Sequence, residues 1–151
     1  MPCFTGNVVN NQIIFVCHLT KSGSDQVDLD ESTLFRALLD TGAQRTCITK
    51  NVVEKLGMEP VSWSKITGVG GEVDCPEYMV DIVISVAESK IVQDNDGNNQ
   101  SQVQSVFGKG FQNTSVAMLD GNHQFDVLLG MDLITQCNFS IHSGQLFTLC
   151  I

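Results

Sequence analysis

The chain has 151 residues, which fits one domain, and we expect a single domain over residues 1–151. Hydrophobic residues make up 42% of the chain and charged residues 17%, so it can bury a core and is not of the disordered class. Lys and Arg number 8 against 17 Asp and Glu, giving a net charge of -9. This balance argues against a nucleic-acid partner, because no basic patch is available to neutralise phosphates.

The start of the chain and the cysteines indicate a cellular location. The first residues lack a basic segment followed by a long apolar segment, so they are a poor secretory signal, and no apolar run is as long as a membrane span. None of the six cysteines forms a C-x-x-C pair, and most have apolar neighbours. We therefore expect no membrane partner and reduced, structural thiols in a cytoplasmic protein, with a disulfide framework as the alternative.

The first half of the chain predicts two strands and a short helix. Residues 12–19 (QIIFVCHL) and 33–40 (TLFRALLD) are rich in β-branched and aromatic or other apolar residues, which is typical of strands. Asn51, followed three residues later by Glu54, resembles a capping box, and Gly57 is a suitable helix end. We expect a helix between them.

The second half alternates strands and turns. The segment WSKITGVGGEVDC has the composition of a mobile glycine hairpin, and EYMVDIVISVAE is an alternating strand. Residues 93–104 contain one apolar residue and predict a flexible insertion. Two more strands flank the Asp120–Gly121 turn, and a brief helix (MDLITQC) and a final hairpin follow. The sequence therefore predicts a mainly β protein, a closed barrel or sandwich with one or two short helices.

The stretch ALLDTGAQRT places an acid, Asp40, at the end of an apolar strand. A carboxylate there is costly unless it is satisfied or used. Two carboxylates held close together share one proton, so one can act as base toward a water molecule and the other as acid toward a peptide bond. Thr41 could hydrogen-bond across to the partner loop, and Gly42 would let a substrate backbone approach. An ordinary strand-ending turn is the alternative for the tripeptide alone.

Three segments occur in an informative order. ALLDTGAQRT is followed by WSKITGVGG after the first helix, and by VLLGMDLITQCNFSI late in the chain. This order closely resembles the retropepsin-like, or retroviral-type, aspartic proteases and the related ubiquitin-receptor proteases of the DNA-damage-inducible type. The resemblance covers most of the chain from Thr33 onward. It implies a retropepsin-like acid protease barrel with a glycine-rich flap hairpin.

The resemblance also implies residue roles. Asp40 would be the catalytic aspartate, Thr41 would lock the two subunits together, and Gly42 would bind the substrate backbone. Gly130 would pack behind the catalytic loop. The remaining residues expected to contact substrate lie beside that loop and in the flap: Ala43, Gln44, Ile66, Thr67, Gly68, Val69, Gly70 and Gly71.

Two positions depart from the retroviral pattern. The retroviral enzymes usually have an acid where this chain has Gln44, and often an arginine where it has Met131. The resemblance therefore does not extend to the ion pairing that braces the retroviral dimer, which these two departures put in question. Gln44 agrees instead with the ubiquitin-receptor and retrotransposon branches.

The chain holds a single Asp-Thr-Gly or Asp-Ser-Gly triplet and is too short for a two-lobed protease. Two catalytic aspartates then require two chains, so we expect a homodimer that cleaves peptide or protein substrates. We expect the last strand, LFTLCI, and residues 2–9 to form the dimer interface, with pairing inside one subunit as the alternative. A peptide-binding or dimerisation module without proteolysis is the competing function.

Metal chemistry is not expected. His18, His123 and His142 show no ligand spacing, and the DNDGNN loop lacks the glycine and the glutamate that a calcium loop requires. We therefore expect no metal and no cofactor.

Overall fold

The computed structural model describes residues 3–24, 31–107 and 110–151. A 3-10 turn covers Glu31–Thr33, and the helices in these ranges are α1 (Lys50–Leu56) and α2 (Met131–Ile134). The strands in these ranges are β1 (Cys3–Asn7), β2 (Ile13–Lys21), β3 (Leu34–Leu39), β4 (Cys47–Thr49), β5 (Ser62–Gly68), β6 (Gly71–Val83), β7 (Ser85–Gln93), β8 (Asn99–Phe107), β9 (Phe111–Leu119), β10 (Val127–Leu129), β11 (Asn138–His142) and β12 (Leu146–Cys150).

A closed barrel forms the centre of the fold. The main sheet has the order β2-β3-β10-β4-β9-β6-β5, and an additional pairing between β2 and β6 closes six of these strands into a ring. Inward-facing side chains from several strands, such as Leu19, Val80, Val116 and Val127, are fully buried in it. The mainly β fold with a closed barrel that the sequence predicts is thus confirmed.

A three-stranded sheet of order β1-β12-β11 brings the two ends of the chain together. Its inner face is apolar: the Phe4 ring lies 5.5 Å from that of Phe15 and 5.6 Å from that of Phe147, measured between centroids. This cluster fixes the terminal sheet to the barrel. Both edges of β12 are paired within its own chain, which is the alternative expectation for LFTLCI. Residue 2, expected to contribute to an interface, lies outside the described residues.

Two of the six cysteines differ from the sequence expectation. Cys3 and Cys150 occupy directly opposite positions in the β1–β12 pair and form a disulfide. The prediction of six reduced thiols is therefore wrong for these two. Their sequence separation of 147 explains the error, since only the folded register shows that they meet. The other four, Cys17, Cys47, Cys75 and Cys137, are free thiols.

Residues 93–104 differ in part from the predicted loop. β7 and β8 pair in register from Ser85↔Phe107 to Gln93↔Asn99, so the second half of this segment is strand. The turn between them is closed by Asp94, whose Oδ1 accepts hydrogen bonds from the backbone N–H groups of Asp96 (3.0 Å) and Asn98 (2.8 Å). A polar sequence can form such a hairpin because backbone groups, not side chains, make the ladder.

The helix near residue 50 is present, with a different start from the one predicted. Its N-cap is Thr49, which makes no side-chain capping bond, so the predicted capping box at Asn51 is not formed. The predicted end at Gly57 is confirmed. Gly57 adopts the left-handed conformation at φ 57°, which glycine tolerates without steric cost, and its N–H donates to the carbonyl of Glu54.

Candidate active site

Asp40 lies at the point where β3 ends. β3 runs parallel to β10 in the register Ala37↔Val127 to Leu39↔Leu129, and the Asp40 N–H donates to the Leu129 carbonyl at 3.0 Å. The half-buried carboxylate accepts a hydrogen bond on Oδ1 from the Gly42 N–H at 2.8 Å. One oxygen of the acid that follows β3 is thus hydrogen-bonded within its own loop.

Residues 40–45, which we call the Asp-Thr-Gly loop, cross the end of β10. β3 and β4 lie on either side of β10, so the loop between them must pass over the turn where β10 leads into α2. The Met131 N–H donates to the Ala43 carbonyl at 2.8 Å, and the Asp132 N–H donates to the Gln44 carbonyl at 3.2 Å. Backbone hydrogen bonds from the start of α2 therefore fix the Asp-Thr-Gly loop at Ala43 and Gln44.

Gly130 packs behind the Asp-Thr-Gly loop, as the resemblance implies. A Cβ atom at this position would lie 2.5 Å from the Arg45 carbonyl carbon and 2.6 Å from the Arg45 oxygen. Only glycine permits so close an approach between two backbones. Gly130, the last residue of VLLG, is therefore needed for the Asp-Thr-Gly loop to pack closely against the end of β10.

Thr46 and Asp132 form a connection that the sequence interpretation missed. The buried Thr46 hydroxyl donates to Asp132 Oδ1 at 2.7 Å, and the Thr46 N–H donates to Asp132 Oδ2 at 3.0 Å. The Gly130 N–H donates in turn to the Thr46 hydroxyl at 3.1 Å. The only signal in the sequence is an acid in the first turn of a predicted helix, which by itself does not identify the partner.

The glycine hairpin is formed by β5 and β6. Their register runs from Ser62↔Glu77 to Gly68↔Gly71, which leaves Val69 and Gly70 as the two-residue tip. Gly71 has φ 103°, a conformation that favours glycine. The Val69 side chain is fully exposed at the tip. The predicted hairpin is thus present, and its tip projects from the barrel.

A cleft of about 630 Å³ lies between the Asp-Thr-Gly loop and β5, a volume within the range of ligand sites in proteins. It brings together five of the predicted site residues, namely Gly42, Ala43, Gln44, Ile66 and Thr67. Its other lining residues are Arg45, Cys47, Lys65, Leu119 and Leu128. Gly68 to Gly71, also predicted to contact substrate, do not line this cleft in the single chain and lie at the hairpin tip.

Arg45 connects the Asp-Thr-Gly loop to the hairpin. Its Nη2 lies 2.6 Å from Glu77 Oε1, and its Nη1 donates to the Ser64 hydroxyl at 3.1 Å. The Ser62 hydroxyl donates to Glu77 Oε2 at 2.6 Å. Hydrogen bonds from Ser62, then Ser64, then Arg45 lower the pKa of Glu77 to about 2. This carboxylate therefore remains ionised through most of the acidic range.

Cys47 lines the cleft as a packed thiol. The residue is buried, and burial raises its pKa to about 11. The nearby Arg45 lowers that pKa to a smaller extent. A thiol so rarely ionised near neutral pH is a poor nucleophile, which favours packing over redox chemistry.

Within its described residues the chain has neither a cluster of metal ligands nor a membrane-spanning helix. Among residues 3–24, 31–107 and 110–151, no group of three or more His, Cys, Asp or Glu side chains could hold a metal ion. Within the same ranges, no helix is long and apolar enough to cross a membrane.

Comparison with known proteins relates this geometry to a family. The family model for aspartyl proteases matches residues 26–133. A retropepsin-like aspartic protease from Rickettsia conorii has a similar structure, with a TM-score of 0.57 and 18% identity over 98% of this chain and 92% of that one. The EIAV protease in complex with the inhibitor HBY-793 aligns with a TM-score of 0.48 and 18% identity, over 85% of this chain and 89% of that one.

A search of curated proteins gave no match. The Rickettsia conorii structure shows a common fold, and the family model covers more than half of the chain. The chain belongs to the aspartyl protease family and is an aspartic-type endopeptidase with the retropepsin-like fold.

Proposed function

We propose that the protein hydrolyses peptide bonds as a homodimer in which each subunit contributes Asp40. The position of Asp40 carries the proposal: it directly follows β3, in a loop that α2 holds and whose residues 42–45 line the cleft. The sequence contains one Asp-Thr-Gly triplet, so a pair of such aspartates needs a second copy of the chain. Thr41 and Gly42 are exposed, which suits an approach of two loops across a twofold axis.

The proposed chemistry uses one proton shared by two carboxylates. The ionised aspartate removes a proton from a water molecule as the water oxygen attacks the peptide carbonyl carbon. The protonated aspartate donates a hydrogen bond and then its proton to the carbonyl oxygen. The first aspartate then gives its proton to the amide nitrogen. The second aspartate takes a hydroxyl proton from the tetrahedral diol as the C–N bond breaks, which returns the pair to its singly protonated state.

The other predicted residues would position the substrate. Thr41 would bond across to the partner loop, and Gly42 would present its backbone to the peptide. Ala43 and Gln44 would contact side chains beside the scissile bond. Residues 66–71 would close over the peptide and exclude water, with Val69 near the tip.

The first test is cleavage of a mixed peptide library by the wild type and by Asp40→Asn, with sedimentation velocity on the same samples. We expect both proteins to dimerise and the variant to lose about 10²–10⁴-fold in cleavage rate. Asp120→Asn is the matched control, because Asp120 is an exposed acid in the Asp-Gly turn. Binding of peptide without cleavage by the wild type would favour the peptide-binding module instead.

The pH profile gives a second test. A dyad that works with one proton should give a bell-shaped rate profile on the acid side of neutrality. A rate that rises steadily into alkaline pH would contradict the aspartate pair.

A further inference from the structure

We propose that the Arg45–Glu77 ion pair is a positioning device that fixes the β5–β6 hairpin relative to the Asp-Thr-Gly loop and so sets how well the cleft holds a peptide. The kinetic part of this inference rests on the proposed function. The structural part concerns the hairpin alone and can be measured without any substrate.

Glu77 lies where the hairpin leaves the barrel. β6 pairs with β9 from Glu77↔Ala117 onward along the chain, and it also pairs with β5 up to Ser62↔Glu77. Before Glu77, residues 71–76 of β6 pair with β5 and have no pairing with β9. Bending of the hairpin toward or away from the cleft would therefore pivot close to Glu77.

Arg45 reaches this pivot from a fixed base. Its carbonyl group packs against the Cα of Gly130, with no room for a Cβ between them. The residue after it, Thr46, is held through its N–H and its hydroxyl by Asp132. The Arg45 backbone therefore cannot shift without disturbing the start of α2, and its side chain acts as a short, anchored connection.

The guanidinium holds both strands of the hairpin. One nitrogen contacts Glu77 on β6 at 2.6 Å, and the other donates to Ser64 on β5 at 3.1 Å. The Ser62 hydroxyl donates to the second oxygen of Glu77, which orients the carboxylate. Planar, two-nitrogen recognition of this kind is geometrically specific, and lysine cannot reproduce it.

Exposure separates this pair from an ordinary surface ion pair. The side chains of Arg45 and Glu77 are 38% and 14% exposed, whereas those of Lys65 and Glu72, nearer the tip, are 69% and 63% exposed at a separation of 3.7 Å. Exposed ion pairs contribute little to stability, because solvent screens their charges and ordering long side chains costs entropy. Lys65–Glu72 is therefore a matched control on the same hairpin.

The experiment compares Arg45→Gln, Glu77→Gln, Arg45→Lys and the control Glu72→Gln, which removes the exposed Lys65–Glu72 pair. The first readout is amide hydrogen exchange of residues 64–75 relative to the barrel strands, together with quenching of Trp63, the single tryptophan of the chain, which lies beside Ser64. The second readout is the change in KM and, separately, the change in kcat for a peptide that the wild type cleaves.

We expect Arg45→Gln and Glu77→Gln to speed exchange in the hairpin by about tenfold with barrel exchange unchanged, and to raise KM by about tenfold with a smaller change in kcat. Arg45→Lys should recover part of both effects, and Glu72→Gln, which breaks the exposed pair outside the cleft, should behave as the wild type. The charge exchange Arg45→Glu with Glu77→Arg should restore part of the hairpin protection lost in the single variants.

Uniform loss of protection across the barrel and hairpin, with KM unchanged, would assign the pair a purely structural role and overturn the inference. Hairpin exchange equal to that of Glu72→Gln would overturn it as well. If the wild type cleaves no peptide, the proposed function fails, and hydrogen exchange alone decides whether the ion pair holds the hairpin.

Discussion

Thr46 and Asp132 join the start of β4 to α2 through two hydrogen bonds, of 2.7 Å from the hydroxyl and 3.0 Å from the backbone N–H. The same hydroxyl accepts the Gly130 N–H at 3.1 Å. One buried side chain therefore satisfies both the carboxylate of Asp132 and a backbone donor at the turn behind Asp40. This connection fixes the loop that presents the candidate catalytic acid.

Replacing Thr46 with valine tests this connection. Valine keeps the shape of the side chain but removes the donor to Asp132 and the acceptor for Gly130, which leaves buried polar groups unsatisfied. We expect the free energy of unfolding in urea to fall by about 1–3 kcal/mol. The control is Thr5→Val, since the Thr5–Thr148 hydroxyl pair is exposed. A smaller loss for Thr46→Val than for Thr5→Val would contradict the role assigned to Thr46.

The parts of the site that the sequence predicted are the ones with local signals. Asp40 follows an apolar strand, and the hairpin around Gly71 follows a helix, so each could be placed from its neighbours. The contacts Thr46–Asp132 and Arg45–Glu77 join segments far apart in the chain. Such pairs depend on which strands meet in the barrel, and hydrophobic periodicity does not specify that.

Gly130→Ala tests the close approach of the two backbones. The added Cβ would lie 2.5 Å from the Arg45 carbonyl carbon, so the loop or α2 must move. We expect a loss of roughly 1–3 kcal/mol in the free energy of unfolding and a lower cleavage rate, because the Asp-Thr-Gly loop shifts with Arg45. Gly68→Ala is the stability control, since a Cβ at Gly68 meets nothing within 4 Å. Equal stability of the two variants would contradict the packing argument.

Two errors of the sequence interpretation have a common physical cause. The pairing of Cys3 with Cys150 and the strand pairing of β7 with β8 both depend on backbone register, and neither is encoded by side-chain polarity. Composition shows that residues 93–104 contain a single apolar residue. It does not exclude a two-stranded ladder made by backbone hydrogen bonds.

The disulfide predicts a measurable effect of reductant. Protein prepared without reductant and then denatured should show four reactive thiols from its six cysteines, since Cys17, Cys47, Cys75 and Cys137 are free. Because the disulfide joins residues 147 positions apart, Cys3→Ser should lower the free energy of unfolding by about 2–4 kcal/mol under oxidising conditions.

Reductant should lower the stability of the wild type and leave that of Cys3→Ser unchanged. Cys75→Ser, at a half-buried free thiol, is the control and should keep its response to reductant. Six reactive thiols in protein prepared without reductant would show that the bond does not form, and would support the expectation of reduced cysteines.

Glu77 predicts a specific dependence of stability on pH. Its pKa falls from 4.5 to about 2 in the folded protein, first through Ser62 and then through Ser64 and Arg45. A carboxyl group with a lowered folded pKa stabilises the protein above its unfolded pKa, and this contribution is lost as pH falls toward the folded value. We therefore expect Glu77→Gln to be less stable than the wild type near neutral pH. The difference should shrink as the pH falls from 4.5 to about 2.

Urea unfolding curves at several pH values between neutrality and about pH 2 measure this difference. Glu72→Gln is the control, because Glu72 is exposed and lies 3.7 Å from Lys65, so its removal should change stability little at any pH. A gap between Glu77→Gln and the wild type that stays constant down to about pH 2 would show that the carboxylate charge is not what stabilises the hairpin base. The neutral hydrogen bonds of Ser62 and Ser64 would then hold Arg45 and the hairpin without an ion pair.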